Sequence, residues 1–397
     1  MSFLTSLAII FLSALLLGNL FRKIKLPPLI GMLLIGIVLG PYVLNLISPN
    51  ILNISSDLRQ LTLIIILTRA GLSLKLNDLK KVGRPPILLC FLPATFEIIG
   101  YIVFAPLILN LSIQESALMG AVMGAVSPAV VVPRMIQLKE KGYGTNKNIP
   151  QMIIAGASCD DVFVIVLFTA LLTTVNGGNF NLNILWQIPI SIVLGVILGV
   201  FCGWLFSLFF KHFKVRDTVK IIILLSISFL LVALESLIKE YIPFSGLLAI
   251  ISMGIMFNMK SEEKAKRLLV KYEKLWVVAE IMLFVLVGAE VNISYSFSNV
   301  GSIIIILFCA LIFRIIGVFI CLIKTPLTFK ERLFCAIAYI PKATVQAAIG
   351  AIPLSLGLEC GPVILTCAVL AILITAPLGA IATDLTYKKL LLKEENE

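Results

Sequence analysis

Phe96-Glu-Ile-Ile-Gly100 returns 217 residues later as Phe313-Arg-Ile-Ile-Gly317, with a base where the acid stood. Two more pieces repeat at nearly the same distance. Pro28-Leu-Ile-Gly31 matches Pro243-Phe-Ser-Gly246 at an offset of 215, and Ser127-Pro-Ala-Val-Val131 matches Pro341-Lys-Ala-Thr-Val345 at 214. Each match is short, but a near-constant offset across three pieces defines an internal repeat. The segments that hold the pieces decide what kind of repeat it is.

The chain has 397 residues, 60% of them hydrophobic and 13% charged, with a net charge of +11. Its mean hydropathy is +1.09. Soluble globular proteins carry about 25% charged residues, so the composition excludes a soluble enzyme, a disordered chain and a coiled coil. A helix needs about 20 apolar residues to cross a hydrocarbon core of about 30 Å. Apolar runs between polar breaks give thirteen such segments, near 3–21, 27–47, 60–74, 86–109, 115–138, 150–174, 183–210, 218–239, 243–259, 268–290, 300–323, 331–357 and 362–384. Strand-like alternation is absent, which argues against a transmembrane barrel. The expected fold class is an all-α polytopic membrane protein of about 13 transmembrane helices.

The repeated pieces fall in spans 2 and 9, 4 and 11, and 5 and 12. Seven spans separate the partners, and seven is odd, so the two copies cross the bilayer in opposite directions. This predicts two inverted six-helix repeats, 3–174 and 218–384, joined by a linker helix at 183–210 and followed by a short cytoplasmic tail at 385–397. Lys and Arg concentrate on the cytoplasmic side of membrane proteins. With the N-terminus outside, 27 of the 32 Lys and Arg fall in inner segments, Arg59 and Lys239 in outer ones, and Arg69, Arg314 and Lys342 within spans. The positive charge is thus mainly a signal of topology and calls for no nucleic-acid partner. The first span has no charged segment ahead of it and reads as a span rather than a signal peptide. The expected location is the plasma (cell) membrane, with a cytoplasmic C-terminus; short loops and Lys- and Ile-rich usage suggest a bacterial one.

Ionisable groups inside a span are costly and mark function by default, at no less than about 2.5–3.5 kcal/mol each. Gly156-Ala-Ser-Cys-Asp160-Asp161 places two adjacent acids in span 6. Asp160 lies ten residues past Pro150, or about 15 Å at the helical rise, near mid-depth. Neighbouring helical residues point about 100° apart, so one carboxylate can face a water-filled cavity while the other meets a basic partner. Glu97 and Arg314 share a slot in the two repeats, and the symmetry predicts a buried ion pair. Lys342 can release a proton on burial where an Arg cannot; it is expected to pair with one of the aspartates or to bridge main-chain carbonyls. Arg69, near the inner end of span 3, can snorkel. Spans 5 and 12 carry Pro128 and Pro133, and Pro341, Gly350 and Pro353. Interrupted helices at matching positions of two halves point to a transporter site. Freed carbonyls, the hydroxyls of Ser127, Ser158 and Thr344, and the carboxylates of Asp160 and Asp161 form a hard-oxygen set suited to Na⁺ or Li⁺.

The Asp160-Asp161 pair, the Ser-Pro break before it, Arg314 and the run Pro-Lys-Ala-Thr-Val-Gln-Ala-Ala-Ile-Gly at 341–350 together resemble the monovalent cation/proton antiporters, in particular the NHA-type sodium/proton antiporters. The resemblance runs from about residue 3 to 384. It implies a homodimer with a mobile ion-binding core, here 86–174 and 300–384, and a dimerisation part, here 3–74 and 218–290, working in an elevator-like way. It implies that the aspartates bind cation and proton in competition. The better-known electrogenic bacterial members have a Lys where Arg314 stands, and an Arg does not cycle protons.

The function expected is secondary active exchange of Na⁺ or Li⁺ for H⁺. Desolvation and mutual repulsion oppose full ionisation of the aspartate pair, which titrates as a unit. A potassium/proton antiporter is the nearest rival, and cation substitution separates the two. A cation channel shares the embedded acids but not the logic of inverted broken helices. An intramembrane aspartyl hydrolase needs two carboxylates sharing one proton, which adjacent helical residues suit poorly, so no enzyme is expected. No cofactor is expected either. His212 is the single histidine, and the eight cysteines form no CxxC pair and no disulfide framework.

Overall fold

Every helix and turn described below belongs to a computed structural model, which describes residues 1–74, 83–176, 182–213, 215–238 and 244–393. Lys75, Lys80, Lys81, Lys214, Lys239, Pro243 and the last four residues of the tail, all used in the sequence reading, lie outside the described residues. Among the described residues the regular structure is helical, with one isolated antiparallel bridge, Tyr143 to Lys393. In chain order the helices are α1 (Phe3–Lys23), α2 (Pro28–Leu39), α3 (Pro49–Asn53), α4 (Ser55–Ser73), α5 (Arg84–Leu89), α6 (Leu92–Leu109), α7 (Ile113–Met123), α8 (Pro128–Glu140), α9 (Ile149–Asn176), α10 (Leu182–His212), α11 (Asp217–Ile238), α12 (Gly246–Lys260), α13 (Glu262–Ala289), α14 (Ile293–Cys321), α15 (Phe329–Ala338), α16 (Thr344–Ile349), α17 (Ile352–Ser355) and α18 (Gly361–Leu390). Eight helical segments among the described residues are long and apolar enough to cross a membrane, and three shorter apolar ones are Pro28–Leu39, Gly246–Lys260 and Thr344–Ser355.

Several expected spans differ in detail, each for a local reason. The run 27–47 is helical only to Leu39, because Pro41 disfavours helical backbone at the residue before it. The run 86–109 is interrupted at Cys90-Phe91; Pro93 has no N–H to give to a helix running in from α5. Pro133, expected to help break span 5, sits inside α8, and the helix continues past it.

The chain divides into two compact units. One takes 1–56, 78–171 and 283–397. Within it, α6 and α14 run antiparallel in a reciprocal contact. A Cβ placed on Gly100 would come within 2.9 Å of the Ala310 Cα, and one placed on Gly317 within 2.9 Å of the Pro93 Cα. Pro93 to Ala310 and Gly100 to Gly317 are both 217 apart. The same patch therefore faces itself, the contact expected about a two-fold axis, and only glycine lets the backbones approach so closely. Glu97 and Arg314, also 217 apart, lie midway along it.

Two further helix pairs in this unit repeat one another. α7 opens with a capping box, Ser112 with Glu115, and α15 with another, Thr328 with Glu331. Both helices then stop. The chain is non-helical over 124–127 before α8 and over 339–343 before α16. The two gaps meet, the Ser127 N–H donating to the Pro341 carbonyl at 2.8 Å. At the far end of α8, Leu391 is buried in a cluster with Leu138, Ile149 and Phe334, and the Gly144 N–H donates to the Leu392 carbonyl at 2.8 Å.

The other unit takes 57–77 and 172–282. α10 packs on α12, with Phe210 edge-on to Phe257 at 6.1 Å. Asn258 donates to the Leu74 carbonyl at 3.0 Å, tying α12 to the end of α4. Arg59, read from sequence as an outer-loop residue, is buried within α4. Arg69 lies with its guanidinium over the Trp276 ring at 5.9 Å.

Candidate functional site

The gaps at 124–127 and 339–343 leave helix ends inside the protein. The last carbonyls of α7 and α15 and the first N–H groups of α8 and α16 have no intrahelical partners. Buried main-chain groups require partners, and charged side chains supply several of them. Arg314 donates from Nε to the Tyr339 carbonyl at 2.6 Å and from Nη1 to the Gly124 carbonyl. One guanidinium thus closes the C-terminal ends of α7 and α15, where the helix dipoles are negative. Arg314 is 1% exposed.

Glu97 is fully buried on α6 and takes both cations on one oxygen. Its Oε2 lies 2.6 Å from Arg314 Nη1 and 2.6 Å from Lys342 Nζ. The sequence reading gave Lys342 an aspartate or main-chain carbonyls as partners; the ammonium meets Glu97, with a weaker reach of 3.4 Å to the Ala125 carbonyl. The reason is local: Lys342 stands in the 339–343 gap, and the charge that the gap faces is Glu97.

Asp160, fully buried on α9, turns Oδ2 toward the first gap. It accepts from the Val126 N–H at 2.6 Å and lies 3.3 Å from Arg314 Nη2. Its Oδ1 has no hydrogen-bond partner, and neither does Asp161 Oδ1, although Asp161 is only 8% exposed. Ser127 Oγ and Thr344 Oγ1 are buried and likewise without partners. Val126, Ser127, Pro341 and Thr344 belong to segments that touch one another. Ser127 and Thr344 thus stand at the two interruptions, and Asp160 reaches the first of them through the Val126 N–H. Ser158 does not join them: its hydroxyl donates to the Ile154 carbonyl, one turn back on α9, at 2.8 Å, a common fate for serine within a helix. Of the freed carbonyls, those of Val122, Met123, Gly124, Ala125 and Tyr339 accept from Arg314, Lys342 or Gln346.

Two residues of the site escaped the sequence reading. Gln346, in the first turn of α16, is fully buried and donates to the carbonyls of Val122, Met123 and Ala125 at 3.3, 3.3 and 3.0 Å. A long amide inside an apolar run was the available signal. Thr375 accepts from the Lys342 N–H at 2.9 Å; the repeat offset carried forward from Asp160 leads to it.

An all-helical membrane protein, with two interrupted helices crossing beside buried acids, has the architecture of a secondary transporter. The sequence profile described as sodium/hydrogen exchanger, transmembrane, matches residues 8–389. The mouse sodium/hydrogen exchanger 9B2 is 35% identical over 399 residues, covering 96% of this chain and 72% of the relative. The human sodium/hydrogen exchanger 9B1 is 34% identical over 412 residues, covering 98% of this chain and 78% of the relative. The structure of the sodium proton antiporter MjNhaP1 from Methanocaldococcus jannaschii at pH 8 superimposes with a TM-score of 0.85 at 21% identity, covering 98% of this chain and 99% of that one. The chain belongs to the sodium/hydrogen exchanger family. Its members are multi-pass membrane transporters that exchange cations for protons; they are not enzymes and need no cofactor.

Proposed function

We propose that this protein exchanges Na⁺, or Li⁺, for H⁺, the two competing for the Asp160-Asp161 pair. The observation that carries this reading is the charge count of the buried cluster. Glu97, Asp160 and Asp161 are three carboxylates, while Arg314 and Lys342 are two cations. With all five ionised, the cluster falls one positive charge short of neutrality, and a lone buried charge is costly to hold or to move. One alkali cation or one proton supplies the missing charge; both together overshoot. Partnerless oxygens of Asp160, Asp161, Ser127 and Thr344 give a hard cation its ligands. Exchange is then one for one and moves no net charge.

Several finer features belong to the same proposal. The site-bearing part, 86–174 and 300–384, moves in an elevator-like way within a homodimer. The protein sits in the cell membrane with its N-terminus outside.

The test is flux in proteoliposomes with Na⁺, Li⁺ or K⁺ across a range of pH, with and without an imposed potential. Na⁺ and Li⁺ gradients are expected to drive proton movement that ignores the potential, and Asp161→Asn is expected to abolish it while the protein still inserts. Full exchange by Asp161→Asn removes that residue from the mechanism. Drive by K⁺ alone replaces the cation, and a potential-sensitive rate rejects the one-for-one count.

A further inference from the structure

The peptide unit joining Ala125 to Val126 is held from both sides. Its N–H donates to Asp160 Oδ2 at 2.6 Å. Its carbonyl accepts from Gln346 Nε2 at 3.0 Å and, more distantly, from Lys342 Nζ at 3.4 Å. The C=O and N–H of one peptide are two ends of a single delocalised group. A donor on the oxygen fixes the plane of that group and polarises it, strengthening the N–H at the other end. Lys342 is committed to Glu97 at 2.6 Å, so the nearer donor on this carbonyl is the amide of Gln346.

The rest of Gln346 suits such a task. It is fully buried, and its NH₂ also reaches the Val122 and Met123 carbonyls at 3.3 Å each. Those two carbonyls are among the last of α7 and have no helical partner. An amide supplies two hydrogens and no charge. With one hydrogen on the Ala125 carbonyl, the other is shared by the Val122 and Met123 carbonyls, and neither disturbs the count of three carboxylates and two cations around Asp160.

We propose that Gln346 is a positioning residue for ion binding: by holding the 125–126 peptide at its oxygen, it aims the Val126 N–H at Asp160 Oδ2 and leaves Oδ1 presented to the cation. The inference rests on the reading of Asp160 as an ion-binding group. It assigns to α16 a direct share in organising an acid carried on α9, through one peptide bond of the intervening gap.

Two measurements test it. The first is Na⁺-driven proton movement by full-length Gln346→Met in proteoliposomes, a change that keeps the length of the side chain and removes its donor. The expected result is a rise of about five-fold or more in the Na⁺ concentration for half-maximal exchange, larger than any fall in maximal rate. A half-saturation unchanged from, or below, that of the wild type overturns the proposal, whatever happens to thermal stability. The second is the amide proton of Val126, read by solid-state NMR with labelled Ala carbonyl and Val nitrogen; Ala125-Val126 is one of four Ala-Val peptides in the chain. In the wild type it is expected far downfield, as a short bond to a carboxylate requires, and in Gln346→Met it is expected to move upfield. A wild-type signal among ordinary helical amides overturns the proposal even if the variant does not fold. A wild type that moves no protons with any alkali cation sinks the functional reading instead, and the amide signal then judges the positioning by itself.

Discussion

In the first copy of the repeat the Val126 N–H donates to the carboxylate of Asp160 at 2.6 Å; in the second the Lys342 N–H donates to the hydroxyl of Thr375 at 2.9 Å. The donors are 216 residues apart and the acceptors 215, so these are one contact built twice. Both satisfy a main-chain N–H stranded where a helix breaks. Only the first places a carboxylate there, followed at once by Asp161, where the second has Ala376. The frame that holds an interrupted helix open is thus separable from the charge used at the opening, and one copy has kept the frame with a neutral acceptor.

The sharpest way to break this comparison is to neutralise each acceptor in turn. Asp160→Asn leaves two carboxylates against two cations, so the cluster is already neutral without a bound cation or proton, and it takes a carboxylate from Arg314, a defect of about 3–5 kcal/mol in a buried network. If it falls on the transport step, exchange drops by at least about 100-fold. Thr375→Val removes a hydroxyl and no charge. It is expected to cost about 1–3 kcal/mol in thermal unfolding, with exchange reduced by less than ten-fold. Equal losses of exchange in the two variants would erase the distinction between the copies.

A second experiment asks whether the cluster is balanced as a whole. Glu97→Ala takes the carboxylate from Lys342 and leaves Arg314 with Asp160 alone, and is expected to destabilise by about 3–5 kcal/mol. Glu97→Ala with Arg314→Ala is expected to lose less than the sum of the losses of Glu97→Ala and Arg314→Ala, because that sum counts the broken Glu97–Arg314 pair twice. Unfolding of all three variants in detergent reads the cycle, and additive losses would speak against coupling. The smallest effects belong to the caps. Ser112→Ala and Thr328→Ala remove equivalent capping boxes and should cost about 1 kcal/mol each. Glu331→Gln should cost more than Glu115→Gln, since Glu331 also meets Lys147 at 2.8 Å while only 1% exposed. A larger loss from Glu115→Gln would contradict that ranking.

Much of the frame could be read from residues alone. A constant offset puts Glu97 opposite Arg314, because residues in the same slot of inverted copies meet near the axis. Ser127-Pro128 and Pro341 mark the interruptions, because proline ends a helix that arrives from its N-terminal side. Pro133 gave a false signal: it stands in the second turn of a helix already restarted at Pro128, and the helix runs on past it although its missing N–H removes one main-chain hydrogen bond. Choices among long side chains were not legible. Lys342 has a long, flexible stem whose target its spacing does not fix, and only the packed gap decides that Glu97 receives it. Ser158 has the right chemistry on the right helix, but a hydroxyl one turn from its own chain's carbonyl satisfies itself first. Gln346 was hidden for the opposite reason, since its three partners are main-chain atoms that no side-chain pattern announces.

The reciprocal glycine contact between α6 and α14 bears on origins as well as on packing. An interface in which a patch meets its own duplicate needs no second surface to evolve beside the first. A half-length ancestor able to insert in either direction would already fit an oppositely oriented sister through the residues now numbered 93 and 100. Gene fusion would then have preserved an existing partnership and freed each half to specialise, one keeping the acid and the other the base.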